Sequence, residues 1–181
     1  VDPRVIAEWK VVPEGTVGVT ALVDLRRTIE IGLACHPGTK RVAFVLGSTQ
    51  MELAWRQRLI DEISAVDPNL EAIDLSGLEA NTLMQRLAGL PDHTIVVWGA
   101  YFRDGAGVAY SPQEILDRAR AESSAPIYGV FDYMLGTGIV GGSLASFTNS
   151  ADLTGQLLLR ILRGESPYPD GVPVASPPEM A

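Results

Sequence analysis

The side chains that could carry out acid–base or nucleophilic chemistry are few in this sequence. Both histidines, His36 and His93, come just before apolar runs that predict strands, and the single cysteine, Cys35, lies near the end of an amphipathic run. The spacing of a serine nucleophile elbow, a zinc-protease helix or a phosphate-binding loop does not occur. We therefore expect no catalytic residue, no metal site and no cofactor, and we predict that the chain is not an enzyme. The histidines are expected at the surface and Cys35 as a buried, structural thiol.

One run of glycines spells a dinucleotide-binding pattern, with Gly136, Gly138 and Gly141 at the required spacing. In a true site this pattern joins a strand directly to a helix, and an acidic residue follows about 20 positions later. Here residues 143–147 do not indicate the start of a helix, and position 161 is Ile161. The glycines therefore favour tight turns and close packing. A nucleotide-dependent enzyme of the doubly wound fold stays as the alternative of another class.

Any site must be positioned by elements that alternate along the chain between apolar and amphipathic runs. The apolar runs predict buried strands, and side chains at helical spacing predict the helices between them. The strands are predicted at 41–46, 70–75, 94–98 and 126–131, and the helices at 21–35, 50–65, 76–88, 111–122 and 149–164. This alternation predicts an α/β fold: a doubly wound, Rossmann-like parallel sheet of about four to five strands with helices on both faces.

Short motifs mark where three of these helices begin. Ser76–Glu79 and Ser111–Glu114 each have the spacing of a capping box, in which the first and fourth residues bond to each other's backbone. Asn149 or Ser150 is expected to cap the last helix.

The bulk composition describes one acidic, globular domain of 181 residues. A net charge of -8 and a pI of about 4.7 argue against a nucleic-acid partner and against an anionic membrane surface. We expect a single α/β domain over 1–181, with a connecting segment at 1–20, a core at 21–164 and an irregular tail at 165–181. The chain opens at Val1 rather than at methionine, so we expect it to be a piece of a longer protein.

In open parallel sheets a ligand binds beyond the carboxyl ends of the strands. Tyr101 and Phe102 follow the third predicted strand and offer flat apolar area to a small organic molecule. Ser48 and Gln50 follow the first strand, at a helix start that could hold an anion. Two plainer interpretations stay open. The aromatic pair could pack beneath its own loop, and Ser48 or Thr49 could serve as an ordinary helix cap.

Four segments in the second half of the chain form a familiar combination. They are Pro126–Gly129, Gly136–Gly142, Arg160–Glu165 and Val172–Val174. Together they resemble the ABC-transporter substrate-binding-like family, which has the type I periplasmic binding protein fold. Leu90–Pro91 before the third strand and Asp104–Gly105 after it look like the version attached to bacterial sensor histidine kinases.

The resemblance implies two lobes that close on a small-molecule ligand, of which this chain would be the carboxyl-terminal lobe. The domain would then be a ligand-binding lobe, with residues 1–20 as a crossover or hinge segment. Residues 1–16 and 166–181 would pass to and from a missing amino-terminal lobe. It further implies an extracytoplasmic, periplasmic sensor domain of a two-component histidine kinase, in a bacterial and membrane-anchored parent. It carries over no catalytic residue. The loops after the first, third and fourth strands would hold the ligand, at Ser48, Gln50, Tyr101, Phe102, Asp132 and Tyr133.

Two further possibilities stay open beside the sensor. The chain could be the solute-binding component of an ABC transporter, which would use the same kind of lobe without signalling. It could also pair as a homodimer, because an isolated lobe would expose surface that its partner normally buries.

Overall fold

The fold is seen in a computed structural model that describes residues 16–167 and 174–180. The strands are β1 Val19–Ala21, β2 Arg41–Val45, β3 Glu71–Asp74, β4 Thr94–Trp98, β5 Ile127–Gly129, β6 Ser143–Ala145, β7 Val174–Ser176 and β8 Pro178–Met180. The helices are α1 Leu25–Cys35, α2 Gln50–Leu53, α3 Arg56–Val66, α4 Ala80–Ala88, α5 Pro112–Glu122 and α6 Phe147–Leu162. A turn of 3₁₀ helix, Asp132–Met134, follows β5.

Four strands form the central sheet in the order β3-β2-β4-β5, and all neighbours run parallel. Isolated parallel bridges from Tyr128 to Gly141 and from Phe131 to Ala145 continue the pairing beyond the β5 edge. β2 is the first strand of this sheet in chain order and is an interior strand. The next two strands, β3 and β4, lie on either side of it. The predicted parallel sheet of the doubly wound class is confirmed.

The sheet separates two apolar cores, because successive side chains of a strand point to opposite faces. Ala43 and Val45 lie in one core with α4 and α5, whereas Val42 and Phe44 lie in the other with α1 and α3. Both faces of the central strands are therefore covered. This is why the sequence of β2 is continuously apolar rather than alternating.

The amphipathic run at 50–65, predicted as one helix, forms two. Thr49 and Glu52 make a complete capping box, in which Thr49 Oγ1 accepts from the Glu52 N–H at 3.3 Å and Glu52 Oε2 accepts from the Thr49 N–H at 2.8 Å. After this single turn, α2, the chain turns at Trp55 and α3 begins. The break escapes prediction because neither proline nor glycine marks it.

The start of α4 differs from the prediction as well. Ser76–Glu79 does not form a capping box, because α4 begins at Ala80 and its preceding residue makes no side-chain cap. The Asp104 carboxylate, from the loop after β4, instead accepts a hydrogen bond from the Ala80 N–H at 3.2 Å. A carboxylate is favoured at the positive end of a helix. A residue distant in sequence therefore replaces the local cap.

Of the two remaining helix starts, the sequence predicts the cap of one and not that of the other. Ser111 caps α5, and its Oγ accepts from the Glu114 N–H at 3.2 Å, which is one of the two hydrogen bonds of the predicted capping box. However, α6 begins at Phe147, and its cap is Ser146, whose Oγ accepts from the Asn149 N–H at 3.2 Å. The predicted cap at Asn149 or Ser150 is wrong because the helix starts directly after β6.

The irregular tail predicted for 165–181 is wrong at residues 174–180, whereas residues 165–167 belong to no helix or strand. β7 pairs in parallel with β1, and β8 pairs antiparallel with β6, so residues 174–180 complete two small sheets. Strands of three residues interrupted by proline carry too little periodicity to be predicted. Residues 1–15 of the predicted hinge segment, and residues 168–173 and 181 of the tail, lie outside the described residues.

The edge of the sheet at which the strands begin carries Cys35, His36 and His93. Cys35 is exposed, so its predicted burial is wrong. One turn earlier on α1, it is Gly32 that packs inward, where any added Cβ would meet the Tyr128 ring. His93 is exposed as predicted. His36 is half-buried, contrary to prediction, and its ring meets Tyr128 edge-on with centroids 6.0 Å apart.

The glycines that spell a dinucleotide pattern serve the backbone. Gly136 and Gly138 have positive φ angles of 79° and 92°, which favour glycine strongly. Gly142 has a φ of 153°, and a Cβ there would collide with the carbonyl oxygen of Gly129. Gly141 leads into β6 rather than into a helix. The interpretation as turn and packing glycines is confirmed.

Candidate ligand-binding cleft

A cavity of about 290 Å³ opens at the carboxyl edge of the sheet, between the loops that follow β2, β4 and β5. Its lining is mainly apolar and aromatic, with few polar groups. The lining residues are Ala21, Val23, Met51, Glu52, Trp55, Ala100, Phe102, Phe131, Ala145, Ser146, Phe147 and Ser150. A concave, apolar site with a few polar groups is typical of small-molecule binding. We call this cavity the cleft.

Three rings from separate elements, Trp55, Phe131 and Phe147, form the aromatic wall of the cleft. Phe131 lies between the others, with its ring centroid 5.9 Å from that of Trp55 and 5.6 Å from that of Phe147. Tyr133 stacks on Phe131 at 5.6 Å. These separations lie within the favourable range for aromatic pairs. Since the rings come from the α2–α3 junction, the end of β5 and the start of α6, the wall exists only in the completed fold.

Glu52 is the acidic member of the lining and is only 2% exposed. Its carboxylate accepts hydrogen bonds from the N–H of Thr49 at 2.8 Å and from the N–H of Phe102 at 2.5 Å. Gly47 lies against this carboxylate, and a Cβ at position 47 would collide with it. Glu52 therefore ties the loop after β2 to the loop after β4, and Gly47 leaves the space for it.

Asp104 organises the loop that carries Phe102. Its Oδ1 accepts from the N–H groups of Ala106 and Val108, both at 2.9 Å, and its Oδ2 accepts from Ala80. Burial by itself raises the pKa of the Asp104 carboxyl, but these three N–H donors outweigh burial and hold the pKa below its ordinary value. The ionised carboxylate is thus the form that holds the loop in place.

The structure places the two aromatic residues predicted to bind the ligand in different surroundings. Phe102 lines the cleft and is 38% exposed. Tyr101 is 1% exposed, and its hydroxyl donates to the carbonyl oxygen of Leu78 at 2.6 Å. Tyr101 therefore packs beneath the loop, as the plainer interpretation has it, and does not line the cleft.

The predicted residues after the first strand support the loops. The Ser48 hydroxyl donates to the carbonyl oxygen of Asp104 at 2.6 Å, which fastens the loop after β2 to the loop after β4. Gln50 is exposed at the start of α2 and does not line the cleft. The Thr49 N–H, which an anion would need, is already donated to Glu52. Ordinary helix capping accounts for this segment.

Asp132 and Tyr133 position the aromatic wall without lining the cleft. The Asp132 carboxylate accepts from the Phe147 N–H at 2.8 Å and from the Ser146 hydroxyl at 3.1 Å, so it holds the first turn of α6. Tyr133 is half-buried behind the wall. Burial, together with the negative charge of Glu52, raises the pKa of Tyr133 to about 12.

A second depression, of about 390 Å³, lies at the opposite edge of the sheet, and Cys35, His36 and His93 are in its lining. It is more polar than the cleft. We assign the ligand site to the cleft, because parallel sheets bind ligands at the carboxyl edge.

Across residues 16–167 and 174–180, no group of three or more His, Cys, Asp or Glu side chains is placed to hold a metal. In the same described part of the chain, no helix has the length and apolar character to cross a membrane.

Two solved structures have a similar fold over most of the chain. One is the ligand-free, open structure of CD0873, a substrate-binding protein with adhesive properties from Clostridium difficile. It is 16% identical, with a TM-score of 0.65 over 99% of this chain and 60% of that one. The other is a conserved domain protein from Vibrio cholerae, also 16% identical, with a TM-score of 0.58 over 91% of this chain and 54% of that one.

This chain shares the α/β fold of these two structures, of which the first is a substrate-binding protein. No protein-family model and no curated protein matches this chain. The chain spans 60% and 54% of the lengths of the two similar structures. At 16% identity the likeness establishes the fold alone.

Phe102 is the lining residue that was predicted to bind the ligand. Among the lining residues that were not predicted, Glu52, Trp55, Phe131 and Phe147 supply the carboxylate and the aromatic wall. Glu52 and Trp55 lie in the amphipathic run that was predicted as one helix. The Thr49-x-x-Glu52 spacing is the signal that could have marked Glu52, because it is that of a capping box. Phe131 closes an apolar run, and nothing in that run distinguishes it from a core residue.

Proposed function

We propose that this chain is an extracytoplasmic lobe that binds a small, largely apolar molecule and serves as the sensor of a membrane-anchored histidine kinase. The observation that carries the binding role is the aromatic-lined cleft at the carboxyl edge of a parallel sheet. The kinase attachment and the extracytoplasmic location are supported by the resemblance in Leu90–Pro91 and Asp104–Gly105. They are the parts of the proposal that need their own test.

The proposed mechanism is closure of two lobes around the ligand. The similar structure from Clostridium difficile is a substrate-binding protein in an open, ligand-free form, and this chain spans 60% of its length. We infer that an amino-terminal lobe would supply the opposite wall of the cleft. A ligand that contacts both lobes binds the closed form better, so it shifts the two-state equilibrium towards closure.

The polar groups around the cleft support binding rather than catalysis. The carboxylates of Glu52 and Asp132 accept backbone N–H bonds that hold the loops. The Ser146 hydroxyl is engaged with Asp132. His36 and His93, the residues best suited to act as a general base at neutral pH, lie at the other edge of the sheet. A nucleophile paired with a base is therefore not assembled at the cleft among the described residues.

A second function is favoured by the description of the Clostridium difficile structure as a substrate-binding protein. The chain would then be part of the solute-binding component of an ABC transporter. The cleft and the closure would be the same in both cases. The two functions differ in what closure drives, so they are separated by an assay on the whole protein.

The binding role is tested by a thermal-shift screen of the 181-residue chain against aromatic acids, amines, amino acids, sugars and nucleotides. A ligand of the folded state stabilises it by about 2.7 kcal/mol at a hundredfold excess over Kd. We expect shifts from compounds with an apolar body, and loss of these shifts in Phe147→Ala. Leu162→Ala, at the far, exposed end of α6, is the matched control and should keep them. A shift from nucleotides alone that survives Phe147→Ala would overturn the proposal in favour of an enzyme.

The sensor role is tested with the full-length parent protein. We expect the ligand found in the screen to change the autophosphorylation rate of the wild type but not that of the Phe147→Ala variant. Unchanged autophosphorylation together with ligand-dependent solute uptake would replace the sensor by the transporter component.

A further inference from the structure

Glu52 is a buried carboxylate in the lining of an apolar cleft. It is 2% exposed, it lines the cleft, and within residues 16–167 and 174–180 it forms no ion pair. The guanidinium of Arg58 lies 6.0 Å from the centroid of the Trp55 ring and donates to the carbonyl oxygen of Val23 at 2.7 Å. These contacts place Arg58 beside two lining residues of the cleft, and neither contact is to Glu52. Among the described residues, the Glu52 carboxylate is therefore a buried acid that is not paired with a cation.

A buried carboxylate is costly unless its lone pairs are satisfied and its charge is balanced. The two oxygens of an ionised carboxylate offer about four acceptor positions. Backbone N–H groups of Thr49 and Phe102 fill one position on each oxygen. Backbone dipoles leave the net charge in place, and acceptor capacity remains for a donor that enters the cleft.

The aromatic rings beside Glu52 also favour a positively charged ligand group. The faces of aromatic rings carry negative charge density and attract cations within about 6 Å of the ring centroid. Trp55, Phe131 and Phe147 place three such rings around one cavity. An anionic ligand group would meet both the rings and Glu52 unfavourably. The whole chain, at a net charge of -8, would also attract cations to this surface.

We propose that the ligand of the cleft carries an ammonium group, which lies against the Glu52 carboxylate and the aromatic wall, with an apolar body filling the rest of the cavity. This assignment rests on the proposed binding function, because it names the chemical class that the same cleft takes. Glu52 then has two roles: it fixes the loop after β4 and it selects the charge of the ligand.

Three compounds of similar shape and different charge test the assignment: 2-phenylethylamine, 2-phenylethanol and 3-phenylpropionate. Each is titrated into the 181-residue chain at pH 7, with calorimetry as the readout and tryptophan fluorescence, to which Trp55 contributes, as a second signal. We expect the amine to bind at least about tenfold more tightly than the alcohol, and the carboxylate to bind most weakly. Equal or tighter binding of the alcohol or the carboxylate would overturn the ammonium assignment and leave the cleft as a ligand site.

Two variants separate charge selection from a merely structural role. Glu52→Gln removes the charge, and we expect the preference for amine over alcohol to fall towards one. Since this variant could unfold, Phe147→Leu provides a second measurement. It keeps apolar volume and removes the ring, so it should weaken the amine more than the alcohol. Glu71→Gln removes the same charge from an exposed side chain at the start of β3 and should leave the preference unchanged. A preference that survives both cleft variants would overturn the assignment.

Failure of the assignment and failure of the proposed function give different results. If none of the three compounds binds, the charge of whatever ligand the broader screen finds decides the assignment. A cationic ligand that is lost in Phe147→Leu supports it, and a neutral or anionic one overturns it. If the screen finds no ligand sensitive to the aromatic wall, the binding function itself is overturned.

Discussion

The Glu52 carboxylate accepts a hydrogen bond from the backbone N–H of Phe102 at 2.5 Å, across 50 residues of sequence. The same carboxylate accepts from the N–H of Thr49, so one side chain joins the loops after β2 and β4. The arrangement of the two loops that line the cleft thus depends on a contact between segments that are far apart in sequence and adjacent in the fold.

Removal of the Glu52 side chain is expected to destabilise the protein. In Glu52→Ala the partly buried N–H groups of Thr49 and Phe102 lose a charged acceptor, which costs about 1–3 kcal/mol in the free energy of unfolding. Urea denaturation measures this loss, and faster amide exchange at Phe102 locates it. Glu71→Ala, at an exposed side chain, should change the free energy by less than about 0.5 kcal/mol. Equal effects of the two substitutions would refute the anchoring role.

Asp132→Ala is expected to weaken both the fold and ligand binding. The first turn of α6 loses a carboxylate that accepts from Phe147, at a cost of about 0.5–2 kcal/mol in the free energy of unfolding. The Phe147 ring then loses its fixed place in the aromatic wall, so affinity falls. Ser111→Ala removes the cap of α5, away from the cleft, and should cost similar stability with unchanged affinity. Unfolding curves and titration of the screened ligand distinguish the two effects.

The stability of the protein should depend on pH through Asp104. The pKa of this carboxyl is lowered in the fold, whereas it is about 3.9 in an unfolded chain. The ionised group therefore stabilises the fold above about pH 4, and the contribution is lost as the pH falls through the lowered, folded-state pKa. Asp104→Asn should flatten this acid-side decline in urea-unfolding free energy. Asp61→Asn, exposed on α3, is the control, and an equally flat profile there would rule Asp104 out as the cause.

Two glycine-to-alanine substitutions should change the free energy of unfolding in opposite directions. Gly142→Ala places a Cβ against the carbonyl oxygen of Gly129 at a φ of 153°, so it should destabilise the protein by more than about 1 kcal/mol. Gly155 is exposed in α6 with open space around it, and Gly155→Ala should stabilise by up to about 1 kcal/mol through helix propensity. Thermal and urea unfolding of the pair measure both. Stabilisation by alanine at position 142 would contradict the packing described for that turn.

The central sheet could be predicted because its evidence is local. The apolar runs around β2 and β4 indicate buried strands by themselves, and the helical spacing of Leu59 and Ile63 identifies a helix between them. The alternation of such runs is enough to infer a parallel sheet. None of these inferences requires knowing which distant residues meet.

The cleft could not be predicted to the same degree, because its contacts are long-range. The cap of α4 comes from Asp104 rather than from Ser76, and no local pattern reports that substitution. Tyr101 and Phe102 are adjacent and both aromatic, yet Tyr101 packs in the core, where its hydroxyl donates to the carbonyl oxygen of Leu78. Phe102 is the predicted residue that reaches the cleft, and the aromatic wall becomes visible only when three distant elements pack together.

The exposed thiol of Cys35 has a practical consequence. It is the single cysteine of the chain and lies at the edge of the sheet opposite the cleft. A five-residue strand such as β4 spans about 17 Å, so a fluorophore attached there would sit roughly that far from a bound molecule. The wild-type chain therefore offers one defined labelling position, at which a dye could report on ligand-driven motion without engineering and without obstructing the cleft.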